Sequence, residues 1–239
     1  LINEIIKYKK FTKSKYGIYF KNNWLDVTFR FYIEASYGFF YWNRLKSVSK
    51  DFIFLDIGAN QGLFSICAAQ NPRCKKVYAF EPVKKTFLLL KKNIRHNKVE
   101  KKCLLFKKGI GLKKEKKLIS INRFHSGSAT LNQSNINKNY TFFNQEWIDL
   151  LDKKSLNSLF DESNDMMIYC KIDVEGFEES VIRTLISSKI ISKVHEIYYE
   201  VDEEWIDSLV IKNLLKEAGF RKFIKNGKNK HYEILALRN

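Results

Sequence analysis

The apolar run Phe52-Ile-Phe-Leu55 is too short for a helix and long enough for a buried strand. It ends in Asp56 and a turn carrying Gly58 and Gly62, after which Leu63, Phe64, Ile66 and Cys67 recur at helical spacing over about 61–70. The order repeats downstream. Residues 76–81 read as a strand stopped by Pro82, then a helix of about 84–96 with Phe87, Leu88 and Ile94 on its apolar face and a basic outer face. Lys102 to Ile110 reads as a third strand, closed by Gly109 and Gly111. Met167 to Asp173 resumes the pattern, with a helix through about Ser188, a strand over Val194 to Val201 and an amphipathic helix from Trp205 to Ala218. Phe220 to Ile224, the turn Lys225-Asn-Gly-Lys228 and His231 to Leu237 read as a terminal hairpin. Strands and helices alternating at these lengths predict an α/β fold, with a parallel sheet covered on both faces.

Two stretches break the alternation. Residues 1–50 form an aromatic-rich N-terminal extension, in which Phe29 to Glu34 alternates like a strand and Tyr37 to Trp42 is a dense aromatic cluster. We expect a cap over a main domain at 51–239, with aromatic faces able to stack on sugar rings. The second stretch is an insert at about 112–165. Lys113 to Lys117 reads as a solvated turn, Ser120 to Asn139 as a polar loop containing His125-Ser-Gly-Ser-Ala-Thr130, and Trp147 to Phe160 as partly helical.

Composition narrows the function class. The 239 residues are 45% hydrophobic, enough for one sizeable core. No apolar run approaches the roughly 20 residues of a membrane span. The chain starts with Leu rather than Met, so its natural start could lie upstream, and Leu1 to Lys15 is too polar for a signal peptide. Cys67, Cys74, Cys103 and Cys170 are scattered without metal-ligand spacing, which points to a reducing, cytoplasmic setting and to no structural metal. The net charge of +17 would suit an anionic membrane surface at the inner face, an acidic glycan or nucleic acid. The excess is nearly all Lys, whereas base readout favours the Arg fork, so specific nucleic-acid binding is not expected.

Chemistry concentrates at strand ends. In an open parallel sheet ligands bind beyond the carboxyl ends, where strand order reverses. Asp56, Glu81, Asp173 and Glu200 all fall at such ends, giving an acidic crevice in a basic protein. Glu81 follows the glycine turn by about 20 residues, the spacing at which a carboxylate grips a ribose diol. The glycines, with the helix N-terminus behind them, read as a nucleotide cradle.

Phe54-Leu-Asp-Ile-Gly-Ala-Asn-Gln-Gly62, Ala79-Phe-Glu-Pro82 and Lys171-Ile-Asp-Val-Glu-Gly-Phe-Glu178 resemble the FkbM-type family of S-adenosylmethionine-dependent methyltransferases over roughly residues 50–202. The resemblance implies a Rossmann-like class I methyltransferase fold, a seven-stranded mostly parallel sheet with an antiparallel last strand. It further implies O-methylation of a small acceptor, a sugar or surface glycan. Asp56, Gly58, Asn60 and Gly62 would surround the methionine part of the cofactor, and Glu81 would hold its ribose. Asp173 is the first candidate for the catalytic base, Glu175 the next, and His125 another on the polar loop. Glu178 reads as helix N-terminal charge, and His195, at the wrong end of its strand, as structural. Asp173 with Glu200 could instead hold Mg²⁺, although two carboxylates do not establish a metal. The alternatives are an RNA methyltransferase using the basic surface, a nicotinamide dehydrogenase, whose Gly-x-Gly-x-x-Gly turn is missing, and a non-catalytic cofactor-binding module.

Overall fold

The computed structural model describes residues 10–132, 143–160 and 166–238. The chain opens with a hairpin, β1 (Phe11–Lys13) and β2 (Tyr19–Lys21), followed by α1 (Val27–Glu34) and α2 (Phe39–Ser47). The α/β alternation then runs β3 (Phe52–Ile57), α3 (Leu63–Gln70), β4 (Cys74–Phe80), α4 (Lys84–His96) and β5 (Cys103–Phe106). A second group follows: β6 (Gly109–Ile110), β7 (Lys116–Asn122), β8 (His125–Thr130), β9 (Phe143–Leu151) and the short helix α5 (Lys153–Asn157). The chain returns through β10 (Met167–Ile172), α6 (Glu178–Ile186), β11 (Val194–Asp202), α7 (Ser208–Glu217), β12 (Lys222–Asn226) and β13 (His231–Leu237).

The main sheet has seven strands in the order β12-β13-β11-β10-β3-β4-β5. Neighbours from β11 to β5 are parallel, and β13 runs antiparallel between β11 and β12. The chain leaves β3 toward β4 and β5, then comes back to β10 on the other side. Order therefore reverses between β3 and β10, whose register places Asp56 beside Lys171 and Ile57 beside Ile172. All six β3 residues are buried, because both faces of this central strand are covered. Its side chains alternate between two cores. Phe52 and Phe54 join α3 and α4 on one face, while Ile53, Leu55 and Ile57 join α6 and α7 on the other.

The N-terminal segment enters the first of these cores. Ile18, Phe20, Phe29, Tyr41 and Leu45 are fully buried in the cluster that holds Phe54 and Leu63. Residues 29–34 are helical, not a strand. Asp26 caps α1 by accepting from Thr28 N, and the buried positions Thr28, Phe29, Tyr32 and Ile33 follow a helical period. The apparent alternation was carried by Phe31, which stands exposed. In α4 the inward residues are Thr86, Leu90, Asn93 and Ile94, and Leu88 faces solvent. The insert is a four-stranded sheet, β6-β9-β7-β8, so Trp147 to Leu151 is strand and only Lys153–Asn157 is helical. The polar stretch from Ser120 to Thr130 is the end of β7, a turn at 123–124 and β8, and its part at 133–139 lies outside the described residues. The four cysteines are free, Cys67, Cys74 and Cys170 being buried. Among the described residues no helix is long and apolar enough to cross a membrane.

One ion pair fixes α2 to the sheet. Arg44 donates Nε and Nη2 to Glu196 Oε2 at 3.0 and 2.8 Å. Glu196 is fully buried on β11; burial raises its carboxyl, and Arg44 opposes that. Removing the guanidinium would strand a buried carboxylate. We expect Arg44→Met to cost about 2 kcal/mol in urea denaturation, and Arg44→Met with Glu196→Gln to recover part of that loss. Equal loss in both variants would show that the pair does not bear on stability.

Candidate active site

The turn after β3 is pressed against the end of β10. Gly58 has φ +78°, and a Cβ there would lie 1.8 Å from the carbonyl oxygen of Asp173, so glycine is needed both for the dihedral and for the approach. Asn60 also has positive φ, 48°. Its backbone N–H donates to Glu81 Oε2 at 3.0 Å, and Val83 N–H donates to Oε1 at 2.9 Å. Glu81 is thus fixed with one backbone bond on each oxygen and lone pairs left over, on the wall of a cavity of about 340 Å³. Burial pushes its carboxyl up to about 7 against these two bonds.

The N–H groups of the glycine turn ahead of α3 are themselves bonded within the chain. Gly58 and Ala59 N–H both bond to Phe80 O, and Gly62 N–H bonds to Ala59 O. Gly62, at φ +97°, caps α3, and its missing side chain makes room for Leu90. Neither Gly62 nor Asp56 is on the cavity wall, while Gly58, Asn60 and Glu81 are.

Asp56 lies beneath the wall, fully buried, and accepts the Ser65 hydroxyl at 2.5 Å. Burial raises its carboxyl, with Lys171 opposing. Lys171, also buried, donates to Gly58 O at 2.8 Å and pairs with Asp173 Oδ2 at 3.1 Å, with Asp56 Oδ1 3.9 Å away. Burial alone would lower the ammonium; Asp173 and Asp56 outweigh it and leave it raised. The Tyr37 hydroxyl donates to the same Asp173 oxygen at 2.7 Å. Burial works to raise Asp173, but Lys171 and then Tyr37 prevail, so its carboxyl sits below the ordinary range and stays ionised.

The rest of the cavity brings together residues far apart in sequence. Asp173, Glu175 and Glu200 each offer an oxygen within 4.8 Å of the others. Glu175 holds a positive φ of 52°, with its carbonyl taken by the Thr130 hydroxyl at 2.6 Å. Burial, then Glu200 and Asp173, raise its carboxyl well above the usual range. Glu200 is raised to about 7 by burial and Asp173, and accepts from His231 Nε2 at 3.0 Å; that bond lifts His231 to about 9. Oxygen ligands suit a hard cation, yet Lys171 and His231 already balance two of the three carboxylates, so the cluster does not single out Mg²⁺. His125, at the start of β8, lines the cavity and packs edge-on against Phe31, with burial lowering its imidazole. Glu178 is buried and turns back to accept Val174 and Gly176 N–H at 2.9 and 3.0 Å, so it braces the loop that carries Glu175. His195 lies off this wall, its ring against Tyr169.

Residues 56–222, most of the chain, match the Methyltransferase FkbM domain. The chain belongs to the FkbM methyltransferase family. No curated protein matches it in sequence. Among solved structures it is similar in fold to the complex of aTrm5 and tRNALeu, at TM-score 0.51 and 18% identity, over 96% of this chain and 52% of that one. It therefore spans about half the length of that protein. It is also similar to M. jannaschii TYW2 in complex with AdoMet, at TM-score 0.50 and 14% identity, over 97% and 88% of the two chains. A putative tRNA methyltransferase from Streptococcus pneumoniae in complex with S-adenosyl-L-methionine gives TM-score 0.50 and 15% identity, over 83% and 71%. At these identities the likeness shows the class I methyltransferase fold alone.

Several residues of this FkbM site carried no role in the sequence. Lys171 lies inside the third motif, but an isolated Lys in a strand gives no sign of burial. Tyr37 belonged only to an aromatic cluster, 136 residues from the carboxylate it meets. His231 read as the first residue of a strand. Its pairing with Glu200 follows from the β11–β13 register, which sets Glu200 beside Glu233 and Asp202 beside His231.

Two glycines with similar φ separate strain from collision. Gly17, at φ +81°, has open space within 4 Å of where a Cβ would stand, unlike Gly58. We expect Gly17→Ala to cost about 1 kcal/mol and Gly58→Ala several times that in thermal denaturation. Similar losses would mean the approach to Asp173 is not tight.

Proposed function

We propose that this FkbM protein catalyses transfer of a methyl group from S-adenosylmethionine to a hydroxyl of a small acceptor, a sugar or glycan. The observation that carries this is Glu81. Its carboxylate is held by Asn60 and Val83 N–H and lines a cavity that Asp173 also lines. A ribose diol donates two hydrogen bonds, and a fixed carboxylate with unused lone pairs accepts them without reorganising. Gly58 and Asn60 form the wall beside it, and Asp56 acts from beneath through Lys171.

The chemistry the cofactor supplies when bound is an electrophilic methyl on a sulfonium. The chain's part is to align the acceptor hydroxyl and take its proton. Asp173 stays ionised and keeps Oδ1 clear of Lys171 and Tyr37, both of which bond Oδ2. A carboxylate held this low is a weak base, so it orients the hydroxyl and receives the proton as the new bond forms. Glu175 and His125 stand on the same cavity as further proton acceptors. Phe31 and Trp205 add flat apolar faces of the kind that pack on sugar rings.

A second reading is an RNA acceptor. The charge of +17 and the tRNA-bound structural neighbour favour it. Filter binding of tRNA with a steep salt slope would support it over the glycan.

Calorimetry with S-adenosylmethionine and NAD tests the cofactor: the former should bind and NAD should not. Glu81→Ala should weaken S-adenosylmethionine binding at least about tenfold, as loss of a charged hydrogen-bond acceptor implies; unchanged affinity removes the ribose role. Binding favours ionised Glu81, so in wild type affinity should rise with pH through about 7, and in Glu81→Gln that rise should flatten. For the reaction, labelled S-adenosylmethionine is offered to a panel of free and nucleotide-linked sugars. Asp173→Asn should bind cofactor yet lose turnover on any sugar that wild type methylates, and near-normal rates would exclude Asp173.

A further inference from the structure

Asp26 does far more than cap a helix. It is 5% exposed, and no Lys, Arg or His pairs with it among the described residues. Its Oδ1 accepts Thr28 N–H at 3.0 Å and Ser126 N–H at 3.1 Å; its Oδ2 accepts Gln61 Nε2 at 3.0 Å and Asn23 Nδ2 at 2.9 Å. Capping α1 requires only the first of these. The contacts to Ser126 and Gln61 reach the start of β8 and the β3–α3 turn, two segments remote in sequence from α1 and from each other.

Those two segments also meet directly. The Ser126 hydroxyl donates to Asn60 Oδ1 at 3.1 Å and accepts Gln61 Nε2 at 3.2 Å. Gly127 N–H donates to Thr28 Oγ1 at 2.8 Å, and Val27 N–H to Phe124 O at 2.8 Å. Asn60, whose N–H holds Glu81, shares the cavity wall with His125, Ser126 and Gly127. Gln61 is fully buried, and its Oε1 has no hydrogen-bond partner. A buried orphan acceptor costs about 1–3 kcal/mol. It is tolerated because the carboxylate of Asp26 demands the donor side of that amide.

We infer that Asp26 is a positioning residue that clamps the turn beside Glu81 to the start of β8, so that filling the cofactor side of the cavity steadies the wall formed by His125, Ser126 and Gly127. The inference rests on the cofactor reading above. The clamp couples the two sides of the cavity, so that occupation of the cofactor side is felt at the segment that carries His125 and Ser126. Asp26 itself touches neither ligand; it acts through Gln61, Asn60 and Ser126.

The test is hydrogen–deuterium exchange of the full chain with and without S-adenosylhomocysteine, read on peptides covering 122–131, alongside calorimetry of the same samples. In wild type the bound nucleoside should slow exchange in 122–131 at least about threefold. Asp26→Ala should still bind it, more weakly, and lose that protection. Asp26→Asn should restore protection, because its Oδ1 still accepts the two backbone N–H groups and its amide can donate to Gln61 Oε1 once that side chain turns over. Ser126→Ala, which leaves the α1 cap intact, should lose protection as Asp26→Ala does, and it carries the test if Asp26→Ala fails to fold. Protection kept in these Ala variants, or absent in wild type that binds the nucleoside, overturns the clamp alone. Wild type that binds no S-adenosylhomocysteine overturns the cofactor reading and the clamp with it.

Discussion

The site depends on one buried cation. Lys171 lies in the centre of a parallel sheet, where an unpaired ammonium would be prohibitively costly. It is tolerated because three oxygens converge on it: Asp56 from β3, the carbonyl of Gly58 from the turn, and Asp173 from the end of its own strand. The same contacts that neutralise Lys171 hold the glycine turn against β10, leaving no room for a side chain at residue 58. They also keep Asp173 ionised on the cavity wall. Lys171 thus joins stability to the site's electrostatics: the charge that satisfies the core sets the protonation of a carboxylate on the cavity wall.

Around that centre the remaining charges are graded by depth. Asp56 is sealed in and serves Lys171. Asp173 shares the ammonium with the Tyr37 hydroxyl, brought in by the N-terminal segment. Glu200 relies on His231, whose ring reaches solvent, and Glu175 is held in place by its backbone and by Glu178 rather than by a cation. Such a crevice favours whatever positive charge enters it, as a sulfonium would. The N-terminal segment is part of this architecture, since Tyr37 supplies a hydrogen bond and Asp26 an anchor that residues 51–239 do not provide.

The order of strands and the carboxylates beyond their ends were legible because both follow from short-range pattern. A buried parallel strand must be an apolar run, and a chain that binds ligands at strand ends must place polar residues there. The terminal hairpin was legible as two strands, although Lys225 and Asn226, read as turn, pair within β12 and the connection falls at 227–230. What was not legible depends on partners distant in sequence. Phe29 to Glu34 has an alternation that fits a strand, and only the cap at Asp26 and the exposure of Phe31 make it helical. Trp147 to Leu151 became strand because β7 pairs with it, and no local signal encodes that pairing. Asp56 reads as a ligand contact from its place at a strand end, and its burial against Ser65 and Lys171 has no local signal. The three motifs that resemble the FkbM family located the crevice but said nothing of Lys171, Tyr37 or His231 as its supports.

The most direct measurement is a crystal structure of the full chain with S-adenosylhomocysteine. The account predicts ribose hydroxyls within hydrogen-bonding distance of Glu81 and the sulfur on the side of the cavity facing Asp173, with Lys171 still joining Asp56, Gly58 and Asp173. A nucleoside seated elsewhere, or Glu81 turned away from the ribose while the cavity is filled, would contradict it.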